Sequence, residues 1–270
     1  MIWEIRRNGK RSFLAGTAHF FPSSFRDSLT SYIKQANTVM FEGPLDRESM
    51  AKVVRAGTVP DMETHILDLL NEGTVQEISS LLFPVCKSRN PYLHLLMNHR
   101  TLKSENLVYS LTKNMKLWLA FFTIWSADLE KNGWKHSVDM EAYAIAAEMG
   151  KKILFMETIE EQIGVLEGLP HDRILAFLGR VREWHTIARD YADCYLQGDL
   201  DRMKTTGLRF PSRHYSVIDR RDQLFFDRMQ PYLEKGDALV FVGAPHMKGI
   251  GRLLSAGGYK TSGPSAPEGP

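Results

Sequence analysis

Cysteine is scarce in this chain of 270 residues: only Cys86 and Cys194 are present, and neither belongs to a Cys-x-x-Cys pair. A disulfide framework and a thiolate metal site are both excluded, and the two thiols read as reduced and half-buried. Charge of one sign is missing too. With 34 basic and 32 acidic residues the net charge is +2, which excludes the basic stripe of an obligate nucleic-acid binder. Long apolar runs are absent: the longest, Leu117 to Trp125, is broken at Thr123 and falls well short of the ~20 residues that cross a bilayer. The amino terminus, Met1-Ile-Trp-Glu-Ile-Arg-Arg, reads as a strand rather than a signal peptide, so the expected setting is the cytoplasm, with no membrane partner. Several catalytic signatures are also absent, namely the Gly-x-Ser-x-Gly elbow, His-Glu-x-x-His, the P-loop and Gly-x-Gly-x-x-Gly.

What the chain does contain is a repeated device. Residues 238 to 251, Ala-Leu-Val-Phe-Val-Gly-Ala-Pro-His-Met-Lys-Gly-Ile-Gly, open as a strand buried on both faces and deliver His246 just beyond its carboxyl end. Residues 12 to 19, Ser-Phe-Leu-Ala-Gly-Thr-Ala-His, repeat the pattern and deliver His19. Gly-x-x-His also occurs at Gly133 to His136 and at Gly168 to His171, but there each glycine closes a helical pattern. Only the first and last copies follow strands. Side by side in a sheet, they would bring both imidazoles to the carboxyl edge, where open α/β sheets bind their ligands.

The remaining pattern supplies the frame. Two strands, 2 to 6 and 11 to 16, flank Asn8-Gly9, a hairpin turn signal. A helix over 23 to 36 then leads to the strand Thr38-Val-Met-Phe, which ends at Glu42. Strand, helix and strand at this length predict a parallel crossover, with the Glu42 carboxylate at the same edge as the histidines. From Asp46 to about Met149 only helical patterns occur, and a stretch this long between two strands predicts a cap over the crevice. Its aromatic segment Trp118 to Trp125 reads as cap core in preference to substrate wall. Another strand, Lys152 to Met156, ends at Glu157, helical patterns return to the final strand, and residues 261–270 have the composition of a disordered tail. The expected fold is α/β: one domain over residues 1–260 with a mixed, mostly parallel central sheet flanked by helices and a helical insertion as cap.

Two imidazoles and a carboxylate are a common ligand set for a catalytic divalent ion, which lowers the pKa of water toward ~7 and points to hydrolysis. His65, His94, His99, His171, His185 and His214 read as surface or helix-terminal residues, and His136 lies beside the Ser137-Val-Asp139 segment.

Gly16-Thr-Ala-His19, Glu42, Ser137-Val-Asp139, Glu157-Thr-Ile-Glu-Glu-Gln162, Arg220-Arg221-Asp222, and Val242-Gly-Ala-Pro-His246 through Gly258-Tyr259 resemble, in order, the TraB/PrgY/GumN family, which includes the TIKI metalloproteases. The resemblance implies a sheet flanked by helices, related to the erythromycin-esterase and haem-binding ChaN folds. For the TIKI branch it implies a peptidase dependent on a divalent metal such as Mn, Co or Zn. His19, Glu42 and His246 match the family's ligands. Arg221 matches an arginine that the family usually follows with asparagine; because Asp222 stands there, Arg220 is the alternative counterpart. An arginine at the site suits a developing oxyanion, or else pairs with Asp219 or Asp222 on its own helix. Asp139 and Glu157 read as partners that orient a histidine or an arginine. The expected activity is metal-dependent hydrolysis of a peptide or small-molecule substrate. The alternatives are an esterase-like hydrolase with a histidine base and no metal, and a protein that binds a peptide or haem without catalysis.

Overall fold

A computed structural model describes residues 1–60, 64–82, 107–214 and 217–263. Cys86, His94, His99 and residues 264–270 of the expected tail lie outside them. The strands are β1 (Ile2–Arg7), β2 (Lys10–Thr17), β3 (Thr38–Phe41), β4 (Lys152–Phe155), β5 (Ala238–Gly243) and β6 (Lys260–Ser262). The α-helices among the described residues are α1 (Arg26–Lys34), α2 (Arg47–Ala56), α3 (Glu72–Leu82), α4 (Leu107–Thr112), α5 (Leu117–Lys131), α6 (Val138–Glu148), α7 (Ile159–Glu167), α8 (His171–Leu178), α9 (Trp184–Gln197), α10 (Leu200–Gly207), α11 (Asp219–Lys235) and α12 (Met247–Ala256).

Asn8 and Gly9 take φ values of 49° and 73°, the left-handed pair that a two-residue hairpin turn demands, and β1 and β2 pair antiparallel across it. The sheet order is β4-β3-β5-β2-β1-β6. The last long strand thus sits between the first two that carry site residues. β5 runs parallel to both β2 and β3, with Thr17 level with Gly243 and Thr38 level with Ala238. The pairings from β2 through β4 are parallel, whereas those of β1 with β2 and β6 are antiparallel, so the sheet is mixed and mostly parallel.

The two-residue period of the strands sorts the core into two layers. Phe13, Ala15, Val39, Leu239 and Phe241 join the larger cluster, which includes side chains of α1, α5, α6 and α9. Leu14, Met40, Val240 and Val242 join the smaller one, with Phe225 and Met229 of α11 and Ile250 and Leu254 of α12. Phe41 and Phe241 stack at 5.2 Å between ring centres. Each fully buried residue of this size contributes ~1.5–3 kcal/mol, which fixes the relative heights of β2, β3 and β5 and so of the residues that leave their ends.

One boundary differs from expectation. Thr261 and Ser262, assigned to the tail, pair with Ile5 and Glu4 of β1. The strand is polar and exposed, so it leaves no hydrophobic pattern to read. It is set in place by Tyr259, which is buried edge-on against Phe226.

Candidate active site

Two turns leave neighbouring parallel strands and pack on each other. A Cβ on Gly16 would lie 3.1 Å from Met247 Cγ and 3.3 Å from Ala244 Cα, so the small residue lets the β2 turn nest against the β5 turn. Buried Tyr195 of α9 donates from its hydroxyl to the Gly16 carbonyl at 2.7 Å and fixes the first turn from above. Beyond β5 the chain makes a 3-10 turn, Ala244–His246, which leads directly into α12.

Each histidine is held by a carboxylate. His19 Nδ1 lies 2.9 Å from Asp139 Oδ2, on the first turn of α6, and His246 Nδ1 lies 2.7 Å from Asp222 Oδ1, on the first turn of α11. An ionised carboxylate only accepts, so Nδ1 carries the hydrogen in both rings, and in its neutral form each ring keeps a lone pair on Nε2. Burial alone would push the His19 pKa down, but the charges of Asp139 and Glu42 outweigh it and the net shift is upward, with Arg213 opposing. His19 is 63% accessible as a side chain, yet that area faces a walled cavity, which is why burial acts on it so strongly. Asp222 is pushed up by burial, partly offset by its bond to His246.

Glu42 stands between the turns. Its Oε1 accepts from the Gly243 backbone N–H at 2.6 Å and lies 3.7 Å from His246 Nε2, while Oε2 accepts from Arg221 Nη2 at 2.9 Å. Arg221 donates from Nε and Nη2 to the two oxygens of Glu157 at 2.8 and 2.6 Å, and its guanidinium lies 4.8 Å from the centre of the Phe225 ring. Burial opposes ionisation of Glu42, but Arg221, His246 and the Gly243 N–H overcome it and hold the carboxyl at a pKa of about 2. Arg221, not exposed Arg220, is therefore the arginine of the cluster. It pairs with the strand-end glutamates and not with its helix neighbours, because Asp222 is engaged by His246. A guanidinium so occupied is first a clamp on Glu42 and only then a donor to substrate.

Two cavities meet at this cluster and share His19, Glu42, Phe122 and Arg221. The first, of about 200 Å³, is walled by Phe121, Trp125 and Trp134 of the 46–149 region together with Tyr191, Phe210 and Arg213. The second, of about 270 Å³, is walled by Met50 and Val53 of α2, Trp118 and Leu119 of α5, and Val165 of α7. The aromatic run from Trp118 to Trp125 thus serves as core and as wall at once. His136 bonds Glu141 and lines neither cavity.

Sequence reasoning missed four contributors. Asp222 appeared only as a helix neighbour of Arg221, although its place one residue along also aims it at the sheet edge. Tyr191 and Arg213 carry no local signal. Thr17 was read only as a small residue of the turn, yet its Oγ1 is buried at the first cavity without a hydrogen-bond partner among the described residues.

The chemistry of the donors suits a divalent ion: both imidazoles offer Nε2 while their Nδ1 atoms are held by carboxylates, the usual second tier around a metal. Glu42 uses two of its roughly four lone-pair sites on Gly243 and Arg221, so acceptor capacity remains. Among the described residues, no three His, Cys, Asp or Glu side chains are drawn together tightly enough to enclose an ion as they stand.

Fold and site define an α/β protein with two carboxylate-held histidines at the carboxyl edge of its sheet, opening into a capped apolar crevice. The TraB/PrgY/gumN family model matches residues 1–262, and the chain belongs to that family. No curated protein and no solved structure matches it. No helix among the described residues is long and apolar enough to cross a membrane.

Proposed function

We propose that this protein is a hydrolase, and a peptidase in particular, that cleaves its substrate at the edge of the sheet between His19 and His246. The observation that carries the reading is the matched pair of imidazoles. Each comes from the end of a neighbouring parallel strand, each is locked through Nδ1 by a carboxylate, and both line one cavity together with Glu42. His19 and His246 through Nε2, with Glu42 as third ligand, would hold a divalent ion. Such an ion supplies Lewis acidity toward water and the scissile carbonyl.

The chain's own groups do the rest. Asp139 and Asp222 keep both rings in one tautomer and orientation. Arg221 and the Gly243 N–H keep Glu42 ionised at any physiological pH. Aromatic side chains of α5 and the chain around Phe210 exclude bulk water, which strengthens each electrostatic contact inside.

The test measures metal content and cleavage of a quenched-fluorescence peptide library on the same samples. The reading expects bound divalent metal, loss of that metal in His19→Ala and in His246→Ala, and loss of cleavage with chelator. Cleavage that survives chelation would transfer the role to a histidine acting as general base. Histidine variants that retain full metal would refute the ligand assignment.

A further inference from the structure

The charges that line the first cavity do not balance. Arg221 is matched by Glu42 and Glu157, which leaves Arg213 as a further fixed positive group on that wall. No carboxylate among the described residues lies within ion-pair distance of Arg213. Its guanidinium lies 5.2 Å from the centre of the Tyr191 ring and is hydrogen-bonded to that side chain, which holds it in place; a single phenol oxygen cannot engage all five N–H donors of the fork. The side chain is only half-buried, on the short 3-10 turn Pro211–Arg213, and it is near enough to His19 to oppose protonation of that ring. An apolar wall of Phe121, Trp125, Trp134 and Phe210 continues from it. At about 200 Å³ the space is smaller than the ~300–1,000 Å³ of pockets that enclose a whole ligand, so it suits one residue of a longer substrate.

Building on the hydrolase reading above, we infer that Arg213 binds the free carboxylate of a substrate whose terminal residue is apolar, the aromatic wall taking its side chain. The substrate class is then the carboxyl-terminal end of a peptide, and the action is that of an exopeptidase. Water adds its hydroxyl to the carbonyl carbon of the last peptide bond, the C–N bond breaks, and a proton passes to the departing amine. The products are a shortened peptide and a free amino acid. Arg213 suits this role because a planar guanidinium meets a carboxylate through two parallel N–H bonds.

The experiment titrates N-acetyl-L-phenylalanine and, separately, N-acetyl-L-phenylalaninamide into the full-length protein and into Arg213→Gln, following tryptophan fluorescence. Trp125 and Trp134 in the cavity wall report occupancy. The acid should bind the wild type at least ~10-fold more tightly than the amide, charge-assisted bonds being about twice as strong as neutral ones. The preference should vanish in Arg213→Gln and return in part in Arg213→Lys, with melting curves confirming that both variants fold. Equal affinity for acid and amide in the wild type would overturn the inference without needing any variant, as would an acid preference undiminished in Arg213→Gln. Cleavage of peptides ending in phenylalanine and in phenylalaninamide separates the two readings. Equal cleavage of both keeps the hydrolase and removes the exopeptidase. Acid-selective binding with no cleavage of either keeps the Arg213 site and removes the hydrolase.

Discussion

The two Gly-x-x-His turns are the same four-residue device placed on adjacent strands, and the fold treats them differently. His246 is 3% accessible, seated in a 3-10 turn edge-on to Phe225 at 5.0 Å, and its partner Asp222 comes from a helix of the smaller core layer. His19 is 63% accessible and its partner Asp139 comes from α6, in the region that also walls the crevice. One imidazole is therefore part of the protein's interior, and the other faces the space a substrate would enter. An identical motif does not imply an identical setting: His246 is packed into the interior, and His19 is open toward the cavity.

The harshest way to break this comparison is to remove what serves both turns. Arg221→Ala strips the counter-charge from Glu42 and Glu157, both largely buried, and should cost ~3–5 kcal/mol in urea unfolding at neutral pH. A loss below ~1 kcal/mol would mean that the clamp is not what holds the cluster.

Acid attacks the same pair more gently. Glu42 has its folded pKa depressed from 4.5 to about 2, so its contribution is complete above pH 4.5 and fades as pH falls toward 2. That contribution is ~3 kcal/mol, at about 1.4 kcal/mol per unit. Glu42→Gln should flatten the fall in stability over that window, and an unchanged slope would show that other carboxylates dominate it.

His246→Ala leaves buried Asp222 without its partner and should cost ~2 kcal/mol, read as a drop in melting temperature. Gly249→Ala probes the same contact from behind, because a Cβ there would lie 1.6 Å from Asp222 Oδ2. It should cost ~1–2 kcal/mol and alter the His246 imidazole signals in NMR, while leaving those of His19 in place. The smallest stability effect belongs to His19→Ala: it also leaves buried Asp139 without its partner, but little of the ring itself is packed, so ~1 kcal/mol is expected. If the two histidine variants melt alike, the division between an interior and a substrate-facing imidazole fails.

Much of this arrangement was legible because its determinants are local. Asn8-Gly9 can form hardly anything but the hairpin turn, and the apolar runs before Gly16, Glu42 and Gly243 announce strands whose ends carry the site. What sequence reasoning could not reach depends on how distant helices are rotated. Arg221 and Asp222 are adjacent on α11, and only packing of Phe225 and Met229 against the sheet sends one to Glu42 and the other to His246. Tyr191 and Arg213 reach the cavity from segments whose amphipathic patterns look like those of any packed helix or turn. The strand β6 was missed for the opposite reason, since a three-residue polar strand is defined by its partner and not by its own composition.

The central place of β5 has a consequence for how the molecule is made. A ribosome delivers β2 and β3 early and β5 near the end, yet β5 must slot between them, Phe13 against Leu239 and Val39 against the same residue from the other side. Until then both receiving strands carry a row of unpaired backbone groups beside apolar side chains, the kind of edge that recruits other chains. The partly made sheet is thus a clamp waiting for β5. Because Glu42 bonds the backbone of Gly243 at the end of that strand, the crevice closes chemically at the moment the sheet closes physically.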